Sequence, residues 1–331
     1  MRRGRSGVVE RARRRSEGRS HELGAPMPTR ENVRWTELSN FKGTTLRSFD
    51  ENIENLKKLA ELIGRLGFTT KSSRVWAYER TLTDLRKLAQ TNQAMTFDQA
   101  LRLLGSVVEV SELTTILKAA QLAVEPSIWQ THLGTLLSGN HPDVGSKSSA
   151  AWDFQFEAYV AAVVQLSGYQ VNFSEPDIIV CDELGTFGIA AKRPRNENGI
   201  KRNLEKAVKQ INKSGLEGFI ALDCSFAVAD GQSLTTTTFE SAISATKTML
   251  HAFIQSNIAN ISSIRFGKNV TGIIFTLHIP VTLVDEDWKQ TTQLASAYRW
   301  SIFPTVTSTD VRLSRVLSFA EQCQRGLFNC A

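Results

Sequence analysis

The chain has 331 residues, 41% of them hydrophobic and 22% charged, with a formal net charge of +6. That length holds one large domain or two of ordinary size with ample core, and no apolar run approaches the ~20 residues of a membrane span or follows the N-terminus as a secretory h-region. Four widely spaced cysteines (Cys181, Cys224, Cys323, Cys330) lack CxxC spacing. Two of them, Cys181 and Cys224, fall in runs expected as buried strands and read as small core residues rather than ligands or bridges, which fits a reducing cytoplasm.

The positive charge is concentrated at the start. Residues 1–26 carry eight arginines against Glu10, Glu17 and Glu22, a surplus of five, which leaves +1 for the remainder. A segment so poor in apolar residues is expected to stay unfolded. It reads either as a nucleic-acid-binding arm or as an extension upstream of a start at Met27, which its lysine-free Arg/Gly/Ser/Glu composition favours. Residues 27–140 read as a helical accessory domain. Phe49, Ile53, Leu56, Ala60 and Ile63 give a helical stripe within Thr44–Gly67, and a second helix is expected from about Ser73 to Gln90. Thr96-Phe97-Asp98-Gln99 forms a capping box that opens a third, and helical character continues from Ser111 to Leu122. The small, polar stretch SGNHPDVGSKSS marks the boundary to an α/β domain over residues 150–331.

That domain opens with a helical period from Asp153 to Ser167, stopped at Gly168. An extended piece (Tyr169–Phe173) follows, then Pro176-Asp177 at the head of the β-branched run Ile178-Ile179-Val180; a proline at a strand's first residue costs no ladder bond. Asp182–Gly185 is a turn, Phe187–Lys192 the returning strand, Gly199–Lys213 a helix and Gly218–Cys224 another strand. Beyond this lie a helix over Thr238–Asn257, β-prone runs at Val270–Val284 and Arg299–Val306, and a closing helix over Ser308–Gln324. There is no P-loop, GxGxxG or internal repeat, and the five histidines do not cluster, which leaves zinc chemistry and Ser/His triads without support.

The order α-β-β-β-α-β, with Glu157 in the first helix, Pro176-Asp177 on one strand and Ala190-Ala191-Lys192 on the next, resembles the PD-(D/E)xK nuclease superfamily. The resemblance implies a restriction-endonuclease-like core: a mixed central sheet flanked by helices. It implies a metal-dependent DNA endonuclease of restriction or defence type, using Mg²⁺ or Mn²⁺, with RNA left open as substrate and a homodimer compatible. Asp177 would be a metal-binding carboxylate, Lys192 the catalytic lysine and Glu157 the acid that many members carry in the first helix. Gln210 would face the site, as a glutamine does in some members.

One position departs from the pattern, for the acid two residues before the lysine is Ala190. Phosphodiester hydrolysis needs a hard cation held by carboxylate oxygens, waters and phosphate. Residues i and i+2 of a strand share a face, so an acid at 190 would stand beside Lys192. The Ala191 carbonyl can still coordinate. Three readings therefore stand together. In one, Glu157 (or Glu175 beside the strand start) supplies the second carboxylate and the enzyme is active. In another, the domain is catalytically inactive and binds nucleic acid or a protein partner. In the third, Asp177 is a turn residue, Lys192 a solvated charge and Glu157 an exposed helix residue; their order around one hairpin counts against it.

The helix after Lys192 carries Arg202, Lys206, Lys209 and Lys213 at i, i+4, i+7 and i+11, opposite an apolar face of Leu204, Ala207, Val208 and Ile211. With Lys192, Arg193, Arg195 and Lys201 just upstream, these cations would give salt-dependent, sequence-independent contacts to phosphates, although a basic stripe is more often a solvated face.

Overall fold

The structure is a computed structural model that describes residues 44–65, 74–90, 96–123, 126–137, 150–229, 233–286 and 291–330. The arginine-rich tail, Met27 and the boundary stretch at 138–149 lie outside the described residues.

The first elements are β1 (Thr44–Ser48), α1 (Phe49–Arg65), α2 (Arg74–Gln90), α3 (Phe97–Leu122) and α4 (Pro126–Leu137). The helix expected from Thr44 instead begins at Phe49. The β-branched pair Thr44-Thr45 opens a strand that pairs antiparallel with a later one, Thr44 opposite Arg299. Thr96 caps α3 as a capping box: Gln99 N–H donates to Thr96 Oγ1 at 3.2 Å and Thr96 N–H to Gln99 Oε1 at 2.9 Å.

Next come α5 (Ala150–Leu166), β2 (Gln170–Ser174), β3 (Asp177–Asp182), β4 (Gly185–Lys192), α6 (Ile200–Ser214), β5 (Gly218–Asp223) and the short α7 (Ser225–Ala229). The expected α-β-β-β-α-β order is therefore present. The chain closes with β6 (Leu234–Thr236), α8 (Phe239–Ser256), α9 (Ile258–Ser262), β7 (Val270–Val284), β8 (Thr291–Pro304) and α10 (Leu313–Cys330). The final helix starts five residues later than expected, after the turns that follow β8. No helix among the described residues is long and apolar enough to cross a membrane.

Among the described residues the strands form one eight-stranded mixed sheet in the order β1-β8-β7-β5-β4-β3-β2, with β6 on β7. β2, β3 and β4 form an antiparallel meander, while β4, β5 and β7 run parallel. The parallel step from β4 to β5 needs a crossover, which α6 supplies. Gly215, in the left-handed conformation at φ 74°, ends α6. Gly218 then lets β5 approach β4: a Cβ there would sit 2.2 Å from the Gly188 carbonyl oxygen.

Strand alternation divides the core in two. Ile178, Val180, Phe187, Ile189, Ala191 and Phe219 join one apolar cluster with α5, α10 and buried residues of α1–α4, such as Leu56, Tyr78 and Val110. The opposite face, including Ala190, Ile220 and Leu222, packs on Leu204, Ala207, Val208 and Ile211 of α6 and on α8. Of the two cysteines expected in buried strands, Cys224 is buried but Cys181 is exposed, close to the turn into β4.

Candidate functional site

Asp177 starts β3 directly after the buried Pro176, whose ring packs on Gly188; a Cβ at 188 would lie 2.6 Å from Pro176 Cγ. The β3–β4 register pairs Ile178 with Ile189, so one step along it Asp177 faces Ala190. Lys192 is two residues further on the same face. The two charges meet: Lys192 Nζ donates to Asp177 Oδ2 at 2.7 Å, with side chains 16% and 13% exposed. The same ammonium donates to the Ala191 carbonyl at 2.9 Å, and Ala191 N–H donates to Asp177 Oδ2 at 2.8 Å. From α6, Gln210 Nε2 donates to Asp177 Oδ1 at 3.1 Å and to the Pro176 carbonyl at 3.0 Å. Gln210 thus faces this group, while its Oε1 is buried and accepts no hydrogen bond.

Beside this group lies a cleft of about 530 Å³ between α5 and α6, with Glu157, Ala191, Lys192, Lys206, Lys209 and Gln210 in its walls. Glu157 belongs to α5 and reaches the cleft from the other side of the sheet. Burial, the Asp177 charge and Asp153 push its carboxyl up to about 7, against the opposing pull of Lys192. Asp177 is also raised, because burial outweighs Lys192 and the hydrogen bonds from Ala191 and Gln210. Glu175 lies exposed in the turn between β2 and β3. Among the described residues no three His, Cys, Asp or Glu side chains converge as a metal-binding group.

The basic residues divide by environment. Arg202, Lys206, Lys209 and Lys213 are exposed along α6, as is Lys201, and of the four on the stripe Lys206 and Lys209 face the cleft. Arg195 is partly covered, bonded to Asp153 Oδ1 at 3.1 Å and stacked over Trp152 and Phe226. Arg193 does not belong with the cations available to a polyanion. Its side chain is 2% exposed, and its guanidinium is bound by Glu112, Asp223 and the Trp152 carbonyl. Alternation sends Arg193 to the opposite side from Lys192, into the interior.

This interior polar group was missed from the sequence. Glu109 and Glu112 lie in VVEVSEL on α3, and two acids embedded in an apolar helical run were the available signal. No protein-family model matches the chain, and no curated protein or solved structure does either.

Proposed function

We propose that this chain is a metal-dependent nuclease with a restriction-endonuclease-like core, hydrolysing phosphodiester bonds of DNA. The observation that carries the reading is the Asp177–Lys192 pair at 2.7 Å, set against Glu157 in a cleft whose other wall bears Lys206 and Lys209. Two carboxylates and the Ala191 carbonyl are hard oxygen donors of the kind Mg²⁺ takes while keeping several of its waters. Burial first, and then the Asp177 charge, lift the Glu157 carboxyl to about 7, and a divalent cation between the two carboxylates would offset both.

Asp177, Glu157 and the Ala191 carbonyl would hold the cation, whose contribution when bound is to stabilise charge on the phosphoryl group and to acidify a water. The chain's own groups do the rest. Lys192 leaves its contact with Asp177 to orient the attacking water or to neutralise charge developing on phosphorus. Lys206 and Lys209 hold neighbouring phosphates, fixing the register of the strand without reading its sequence. Gln210 keeps Asp177 Oδ1 in place.

A second reading, a nuclease-like domain that only binds nucleic acid or a partner, draws on Ala190, which is 0% exposed in the apolar layer under α6. Cleavage of plasmid and oligonucleotide DNA with and without Mg²⁺ or Mn²⁺ separates the two. The nuclease reading expects cation-dependent cutting that Asp177→Asn and Lys192→Ala each abolish. Binding that is indifferent to the cation, with no cutting, favours the second.

A further inference from the structure

We propose that Glu112 of α3 is a positioning residue for this site: its one carboxylate ties the strand end that carries Lys192 to the helix that carries Glu157. For its consequence in catalysis, the inference rests on the nuclease reading.

The tie to β4 runs through Arg193, the residue after Lys192. Arg193 Nη2 donates to Glu112 Oε1 at 2.8 Å and to Oε2 at 3.0 Å. The tie to α5 runs through Gln155, two residues before Glu157, whose Nε2 donates to Glu112 Oε2 at 2.5 Å. Arg74 of α2 donates to Gln155 Oε1 and fixes that amide's orientation. A third link reaches β7, where His278 Nδ1 is 3.3 Å from Glu112 Oε1. Arg193 closes the group: Nη1 donates to the Trp152 carbonyl on α5 at 3.1 Å, and Nε to Asp223 Oδ2, at the end of β5, at 2.6 Å. Asp223 is held in turn by Ser225, which accepts from the His278 N–H at 2.8 Å.

Lys192 stands on a strand of the sheet and Glu157 on a helix packed against one face of it, so their separation depends on how β4 and α5 are joined. Apolar packing joins them by volume and tolerates sliding. A carboxylate bound by two partners fixes length and direction. A buried ion pair is a weak source of net stability, since apolar replacements of equal volume often hold such elements as firmly. What they add here is placement, to which catalysis is sensitive at the level of about 1 Å.

Two variants test this. Glu112→Asp keeps the charge and shortens the link by one methylene. The triple variant Glu112→Gln/Arg193→Met/Asp223→Asn removes the charges together, leaving none of the three stranded. The expected result is a folded protein in each case. DNA affinity in EDTA is unchanged, KM is unchanged, and kcat is lowered about 100-fold for a displacement of about 1 Å. Crystal structures should show Glu157 displaced relative to Lys192 by about 1 Å, with the Lys192–Asp177 contact of the β3–β4 hairpin retained. Wild-type kcat in either folded variant, or an unchanged Lys192–Glu157 separation, overturns the proposal. Failure of both variants to fold also overturns it, because the group would then serve stability. If the wild-type protein does not cleave DNA, the nuclease reading fails, and the positioning role stands or falls on the crystal structures.

Discussion

Lys192 and Arg193 are neighbours in the chain whose charges serve opposite sides of the sheet. The first bonds Asp177 at the cleft, and the second is buried against Glu112 and Asp223. Their substitutions should therefore differ in kind. Arg193→Ala strands two buried carboxylates and is expected to cost about 3–5 kcal/mol of stability. DNA affinity of the molecules that stay folded should be unaffected. Lys206→Ala/Lys209→Ala should leave stability within about 0.5 kcal/mol. It should also reduce the slope of log affinity against log salt by about 2, if each lysine meets one phosphate. Urea melts and DNA titrations at several salt concentrations check both. An unchanged salt slope in the lysine variant removes α6 from the DNA interface.

The site and the interior group differ in how far the sequence revealed them. β3 and β4 were legible because period-2 alternation and the Asp182–Gly185 turn are local signals, and Asp177 and Lys192 fall at fixed places on that hairpin. Likewise α6 was legible from its apolar and basic faces. The Glu112–Arg193 contact joins residues 81 apart, and Glu112–His278 spans 166; no periodicity encodes such pairs. Arg193 looked like one more cation of the basic run because burial depends on what α3 brings over it. Thr44–Ser48 was absorbed into the helical stripe that follows, since its partner, β8, lies far along the chain.

The shared apolar cluster of α1–α4, α5 and one face of the sheet predicts that residues 150–331 do not fold alone. Removing α1–α4 would uncover the outer side of α5 and part of that face, and leave Arg193 and His278 without Glu112. Breaking a buried pair costs about 3–5 kcal/mol, a large part of a typical domain stability of about 5–15 kcal/mol, before the lost apolar contact is counted. Circular dichroism and limited proteolysis of the fragment are the measurements. A fragment that melts cooperatively near the temperature of the full chain would show the helical region to be separable.

The raised Glu157 carboxyl sets a pH dependence. Between its ordinary value of 4.5 and about 7, the folded chain retains a proton that the unfolded chain has released. Stability therefore falls as pH rises through that window and levels off above it. The loss is at most on the order of 3 kcal/mol for a shift of this size. Asp177 is raised as well and contributes in the same direction. Glu157→Gln should remove its own share, gaining on wild type between pH 5 and pH 8 in urea midpoints. Because a cation binds the ionised form, Mg²⁺-dependent cleavage should climb with pH and reach a plateau above about 7. Stability curves that stay parallel for the two proteins would show that Glu157 titrates normally.

Ala190→Glu bears on whether the natural site is complete. Ala190 is fully buried and stands opposite Asp177 on the strand that ends in Lys192. A carboxylate there joins Asp177 in a covered position beside Lys192. Without a cation the variant should lose several kcal/mol of stability, from desolvation and like-charge repulsion. Millimolar Mg²⁺ or Mn²⁺ should return part of that loss, and more than the same ion gives wild type, since stabilisation by a ligand follows its affinity for the folded form. Thermal melts in EDTA and in each metal measure this directly. Cleavage then separates the two functional readings. If wild type cuts DNA and Glu157→Ala abolishes cutting as completely as Asp177→Ala, the α5 carboxylate fills the place that Ala190 leaves empty. A wild type that is silent in both metals, with cutting that appears only in Ala190→Glu, would make the natural chain a binding domain on a nuclease scaffold. In that case the basic face of α6 is the function that remains, and Lys206→Ala/Lys209→Ala is the variant that should destroy it.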